Sequence, residues 1–172
     1  SSSHRQIYNY DHLGNLIEQI NYNLDGSLRS KLVYEHSADG FLTKRSSYDS
    51  NESLMVYAIF LYDEKGNKIE EDFRTADGRP RSKRTSEYDD NSNLIEQIDY
   101  NLNGEVERRL TYRYDSHGNR IEENKFDSEG YREYKYIHVF DEHQNEIESR
   151  DYNPDGTLES QSKTRFDEQA NA

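Results

Sequence analysis

The chain has 172 residues, enough for one domain with a sizeable core, yet only 31% of them are apolar and the formal charge is −13 at pH 7. Leu, Ile, Val and Phe together number 32, which by composition alone reads as disorder, but 15 tyrosines supply the large, strand-favouring apolar faces that disordered chains lack. The acidic balance excludes nucleic acid as a partner and favours a basic protein surface, and the absence of cysteine excludes disulfides and thiolate chemistry without fixing the compartment.

The opening "SSSHRQ" has neither the charged region nor the apolar core of a signal peptide. No run along the chain reaches the roughly 18 apolar residues of a spanning helix, so no membrane span is expected. From Tyr10 onward one pattern recurs: "YDHLGN" at Tyr10, "YDEKGN" at Tyr62, "YDDNSN" at Tyr88, "YDSHGN" at Tyr114, "FDEHQN" at Phe140 and "FDEQAN" at Phe166. The step is 26 residues, or 52 where the copy at His36 has decayed to "HSADGF" and keeps only Gly40 in register. A second turn lies inside each unit, as "YNLDGSL" at Tyr22, "YDSNESL" at Tyr48, "YNLNGEV" at Tyr100, "FDSEGYR" at Phe126 and "YNPDGTL" at Tyr152; the third unit has "RTADGRP", with Arg74 in the aromatic slot.

Asx followed by Gly is turn chemistry, because Gly accepts positive φ and Asx side chains bond nearby backbone amides. Two turns per unit leave two strands of roughly seven to nine residues. No stretch of twelve residues keeps an apolar stripe at helical spacing without a turn interrupting it. The predicted fold is therefore all-β: an antiparallel meander of about 12 strands built from 26-residue β-hairpin repeats, twisted or curled and solenoid-like. It forms a single repeat domain over 1–172, with units 10–35, 36–61, 62–87, 88–113, 114–139 and 140–165 and partial units 1–9 and 166–172. Beginning and ending part-way through units, without recognisable polar caps, is expected of a segment excised from a longer array or capped by self-association.

Pairing Tyr22 with Ser27 across the second turn places Glu18 opposite Lys31, Glu70 opposite Lys83, Glu96 opposite Arg109 and Glu122 opposite Lys135, a charged ladder on one face. Pairing Tyr10 with Asn15 across the first turn places Ile17 opposite Tyr8, Ile69 opposite Phe60 and Ile121 opposite Tyr112. Leu28, Leu32, Leu110 and Leu158 extend that apolar stripe.

The segments "YNYDHLGNLIE" (8–18), "FLYDEKGNKIE" (60–70) and "TYRYDSHGNRIE" (111–122) resemble the tyrosine-aspartate (YD) repeats of the RHS family of bacterial proteins and their animal relatives. In that family the repeats are β-hairpins that spiral into large shells on secreted or cell-surface proteins, often around a toxic payload. The resemblance implies a structural or binding role and a secreted or surface location. The self-cleaving core and the payload are absent here, and about six units are too few to close a shell.

The sequence holds no GxGxxG, GxxxxGK[ST] or HExxH, and no pair of carboxylates stands out among 35 acidic residues, so no catalytic residue and no cofactor is expected. His117 and His143 occupy the same turn position in successive units, about 10 Å apart by strand spacing, too far to share an ion. The oxygen-rich turns 88–93 and 151–156 match no calcium-loop spacing. Two surfaces remain. "SLMVYAIFLY" (53–62) is apolar at every position from Leu54 to Tyr62, and the ladder breaks beside it, with Lys44 in a Glu slot and Tyr57 in a base slot. Leu54, Met55, Val56, Tyr57, Ile59 and Phe60 therefore form either a local core or a protein-partner or self-association surface. Tyr112, Tyr114, Tyr131, Tyr134 and Tyr136 either pack across strands or stack a sugar. The functional expectation is a non-catalytic scaffold or protein-binding module. The alternatives are a carbohydrate-binding module and an acidic partner of a basic toxin.

Overall fold

Every Asx–Gly stretch closes a hairpin loop, and the segments between loops are strands. A computed structural model describes residues 5–166, among which there are thirteen strands and no helix. They are β1 (Arg5–Tyr10), β2 (Leu16–Tyr22), β3 (Leu28–His36), β4 (Leu42–Tyr48), β5 (Leu54–Tyr62), β6 (Lys68–Thr75), β7 (Pro80–Tyr88), β8 (Leu94–Tyr100), β9 (Val106–Tyr114), β10 (Arg120–Phe126), β11 (Arg132–Phe140), β12 (Glu146–Tyr152) and β13 (Leu158–Lys163). They fall into two compact units, Ser1–Thr85 with Asn101–Gly104, and Ser86–Tyr100 with Glu105–Ala172. In the first, β1 to β7 pair antiparallel in chain order. In the second, β8 to β13 do the same. The expected meander forms, with thirteen strands in place of about twelve because the partial unit before Tyr10 contributes β1. The partial unit expected at 166–172 lies, beyond Phe166, outside the described residues.

The first-turn signature is a clasp. In the loop after β1 the Asp11 amide donates to the Asn15 carbonyl at 2.9 Å and the Gly14 amide to the Asp11 carbonyl at 3.1 Å, with Gly14 at φ 87°. This is a three-residue hairpin loop with glycine in the left-handed position. The Asp11 carboxylate accepts the amides of Leu13 and Asn15 and the Asn15 carboxamide, each at 2.9 Å. The same three bonds recur from Asp63 to Asn67, Asp89 to Asn93, Asp115 to Asn119 and Asp141 to Asn145. Hydrogen bonds from Asn15, Asn67 and Asn119 side chains hold Asp11, Asp63 and Asp115 below the usual carboxylate range, and the Asn145 amide does so for Asp141.

The decayed copy at His36 closes differently. Ser37 replaces the aspartate and its hydroxyl accepts the Phe41 amide at 3.2 Å. Phe41 replaces the asparagine, stacks on Tyr62 with ring centroids 4.9 Å apart, and fills the space beside Gly66, where a Cβ would come within 2.8 Å of its ring. Gly66 is thus required both for its φ of 85° and for its missing side chain.

Strand register departs from the sequence expectation by two residues. Tyr10 pairs with Leu16 and Asn9 with Glu18, leaving Ile17 unopposed in a β-bulge. Tyr8 therefore faces Gln19, Phe60 faces Glu71 and Tyr112 faces Glu123, not Ile17, Ile69 and Ile121. Across the second turns Tyr22 pairs with Leu28, not Ser27, and Glu18, Glu70, Glu96 and Glu122 face Val33, Thr85, Thr111 and Ile137. The loop is one residue longer than assumed and the bulge adds another. A shift of two preserves which face each side chain occupies, so the expected partners become diagonal neighbours. Three of the four ion pairs form on that diagonal: Lys83–Glu70 at 2.8 Å, Arg109–Glu96 at 3.3 Å and Lys135–Glu122 at 3.0 Å. The fourth does not, because Lys31 bonds Glu52 at 2.8 Å. Such partly exposed pairs contribute about 0.2–1 kcal/mol each.

Candidate functional site

The apolar run of β5 divides between two environments. On one face Ala58 and Phe60 are 2% and 7% exposed, the buried apolar side chains among the described residues. Phe60 meets Phe73 of β6 edge-on at 6.5 Å, and Lys68 lies over its other surface at 5.6 Å. Val56 shares this face, beside Leu32, Arg45 and Phe73, which border a shallow cavity of about 200 Å³. On the opposite face Tyr57 and Ile59 are half-buried, while Leu61 is 48% exposed. Met55, in the bulge after the β4–β5 loop, is 52% exposed. Leu54 is half-buried and pairs with Tyr48 at the loop.

At this rung the charged ladder becomes a cation–π contact. Lys44 sits 5.9 Å from the Tyr57 ring centroid and donates to Glu35 at 2.9 Å, and that hydrogen bond raises its pKa above the usual lysine value. Beside it the buried carboxylate of Asp72 is held by the Arg74 guanidinium at 2.7 and 2.9 Å. Both polar groups are satisfied, so the exposed apolar atoms are those of Met55 and Leu61.

Three of the five candidate tyrosines come together in the second unit. Tyr112 and Tyr136 each face Glu123 from the strands on either side of β10, and Tyr134 follows two residues before Tyr136 on the same face. The Tyr134 and Tyr136 ring centroids are 4.6 Å apart, and the Tyr134 hydroxyl donates to Glu123 at 2.9 Å. Arg120 bonds Glu123 at 3.0 Å and lies 5.5 Å from the Tyr112 centroid. Desolvation, reinforced by the Glu123 carboxylate, pushes the Tyr134 phenol up to about 12; desolvation also raises Tyr112 and Tyr114. Tyr131 is not part of the group: it lies in the β10–β11 loop and is 68% exposed.

Tyr114 has a different task, one that sequence reasoning missed. Its hydroxyl donates to the Leu94 carbonyl at 2.9 Å, and the Tyr62 hydroxyl donates to the Leu42 carbonyl at 3.0 Å. Both tyrosines are the aromatic of a Tyr–Asp signature, and both acceptors open the strand that leaves the preceding first turn. The tyrosine latches its hairpin to the one before, while the adjacent aspartate builds its own loop. The available signal was the recurrence of Tyr, a phenol with a hydrogen to donate, where packing alone would accept Phe.

His117 and His143 are both exposed loop residues. Among the described residues no group of three or more His, Asp or Glu is placed to hold a metal ion, and no helix is long and apolar enough to cross a membrane.

No known sequence family matches the chain, and no curated protein does. Solved structures do. The Photorhabdus luminescens Tc holotoxin pore carrying a TccC3 D651A mutation aligns over 92% of this chain with a TM-score of 0.52 and 14% identity. A TcdB2–TccC3 crystal structure without the hypervariable C-terminal region aligns over 93% with a TM-score of 0.52 and 15% identity. The TcdB2–TccC3–Cdc42 crystal structure aligns over 93% with a TM-score of 0.50 and 13% identity. At these identities the likeness is one of fold, and this chain spans only 9–10% of the length of those chains.

Proposed function

We propose that the chain is a segment of a non-catalytic RHS/YD-type repeat scaffold that offers its surfaces to protein partners. The observation that carries this reading is the division of labour in the signature: Asp and Asn close the first-turn loops that keep the signature, and Tyr62 and Tyr114 each bind their hairpin to its predecessor. A unit that holds its own loop and its neighbour can be repeated indefinitely without a thick core or a ligand. The fold likeness to chains of TcdB2–TccC3 assemblies supports the same reading, since those neighbours are themselves parts of protein complexes. A secreted or cell-surface setting goes with the family resemblance. Within this reading the contact surface is the open side of β5, with Met55 and Leu61 exposed towards its two ends and Leu54, Tyr57 and Ile59 alongside. The tyrosine face is less suited to a sugar because its rings are already engaged with one another, with Glu123 and with Arg120.

Light scattering across a concentration series, paired with a glycan array, tests the proposal. Expected are concentration-dependent association that Met55→Asp with Leu61→Asp removes without altering the circular dichroism, and no selective glycan binding. Selective glycan binding lost in Tyr134→Ala and Tyr136→Ala would replace the scaffold reading with carbohydrate recognition.

A further inference from the structure

The loop joining β4 to β5 is the second turn that lacks glycine. Glu52 stands in the glycine position at φ 57°, where a side chain is disfavoured, and its carboxylate is tied to Lys31 at 2.8 Å. The Asp49 carboxylate accepts the amides of Asn51 at 2.8 Å and Ser53 at 2.9 Å. These bonds consume main-chain groups only. The Asn51 carboxamide and the Ser53 hydroxyl make no hydrogen bond to a described residue, and both residues are exposed. In the corresponding loops the hydroxyls of Ser27 and Thr157 are spent on Asp25 and Asp155, each at 2.6 Å. The loop therefore keeps a primary amide and a hydroxyl two residues apart, held on an ordered backbone and unused by the fold.

Asn-x-Ser with x other than proline is the acceptor sequence for N-linked glycan, and Asn51 alone among the asparagines of this chain is followed by Ser or Thr two residues later. We propose that Asn51 is the acceptor of an N-linked oligosaccharide. The donor is a lipid-linked oligosaccharide pyrophosphate. Asn51 Nδ2 bonds to the anomeric carbon, the bond from that carbon to the pyrophosphate oxygen breaks, and the pyrophosphate leaves with the electron pair. The proton lost from Nδ2 passes to a base on the transferase. Ser53 supplies the hydroxyl that the transferase reads. Fold and scaffold function do not depend on this step, which rests only on the secreted or cell-surface setting of the reading above.

The test is expression of the full chain behind a cleavable secretory leader in a host that transfers such oligosaccharides, followed by intact mass, peptide mapping and enzymatic glycan release. The expected result is one releasable oligosaccharide on Asn51, absent from Asn51→Gln and Ser53→Ala and retained in Ser53→Thr. The circular dichroism and Tm of Ser53→Ala should match the parent, because its hydroxyl bonds to nothing in the fold. A secreted, folded chain with unmodified Asn51, or modification that persists in Ser53→Ala, overturns the proposal.

Discussion

Strand β5 and the tyrosine face of β9–β11 solve one problem in two ways. Around β5 the first unit buries Ala58 and Phe60 and keeps apolar side chains open on the other face. On the tyrosine face no ring is fully buried; Tyr112, Tyr134 and Tyr136 share half-buried positions around a carboxylate, and the buried side chain of β10 is Asn124 on the opposite face, bonded to Thr111 and Glu122. One backbone repeat is thus stabilised by hydrophobic burial in one place and by an aromatic and ionic network in the other. Neighbouring pairs, more than a thick core, hold the fold together.

Breaking the hydrophobic side should cost most. Phe60→Ala is expected to lose about 3 kcal/mol by chemical denaturation, the lower end for a buried phenylalanine because the site has open surroundings. The latch comes next. Tyr62→Phe and Tyr114→Phe each delete one hydroxyl and should each cost about 1 kcal/mol, with equal losses indicating that the latch works alike in both units. On the network side Glu123→Gln should change stability by less than about 1 kcal/mol while lowering the pKa of the Tyr134 phenol seen by ultraviolet titration. That pKa should stay above the ordinary 10.0, because desolvation is the larger cause of its rise to about 12. Phe60→Ala should leave the titration unmoved.

Acidity separates loops from strands. Asp11, Asp63, Asp115 and Asp141 have folded pKa values below their ordinary 3.8, so their stabilisation is complete above that value and is lost as pH falls through the lower folded values. Thermal melts should show Tm dropping as pH falls below about 4, with a smaller drop in Asp115→Asn. At the alkaline end Tyr134 acts in the opposite sense: its contribution is present below pH 10.0 and disappears as pH rises towards about 12.

The turns, the strands and the repeat were legible because Asx-led turn chemistry is local and recurs in register, with glycine at most of the left-handed positions and Glu52, Ser92 and Gln144 at the others. Register was not, since a bulged residue such as Ile17 or Ile69 leaves no mark in a sequence where any apolar residue fits a strand. Faces survived the error because the offset was even, which is why the charged diagonal Glu70–Lys83 still forms. In β5 the sequence alone could not distribute an unbroken apolar run between core and surface; the pairing with Phe73 and Arg45 does so. Nothing local in the sequence distinguishes Leu61, which is exposed, from Phe60, which is buried. Tyr131 is close in the chain to Tyr134 and Tyr136, but it belongs to the loop and they to β11.

Removing whole and half repeats tests the central claim most directly, with circular dichroism and thermal melting as the readout. Deleting 62–87 joins Leu61 to Tyr88 and keeps every loop and latch in phase, so a cooperatively melting β-protein of somewhat lower Tm is predicted, whereas deleting 75–87 removes one strand, reverses the direction of those that follow and should abolish cooperative melting. If both deletions melt alike, or the 26-residue deletion unfolds the chain, hairpins are not the self-sufficient, neighbour-bound units described above.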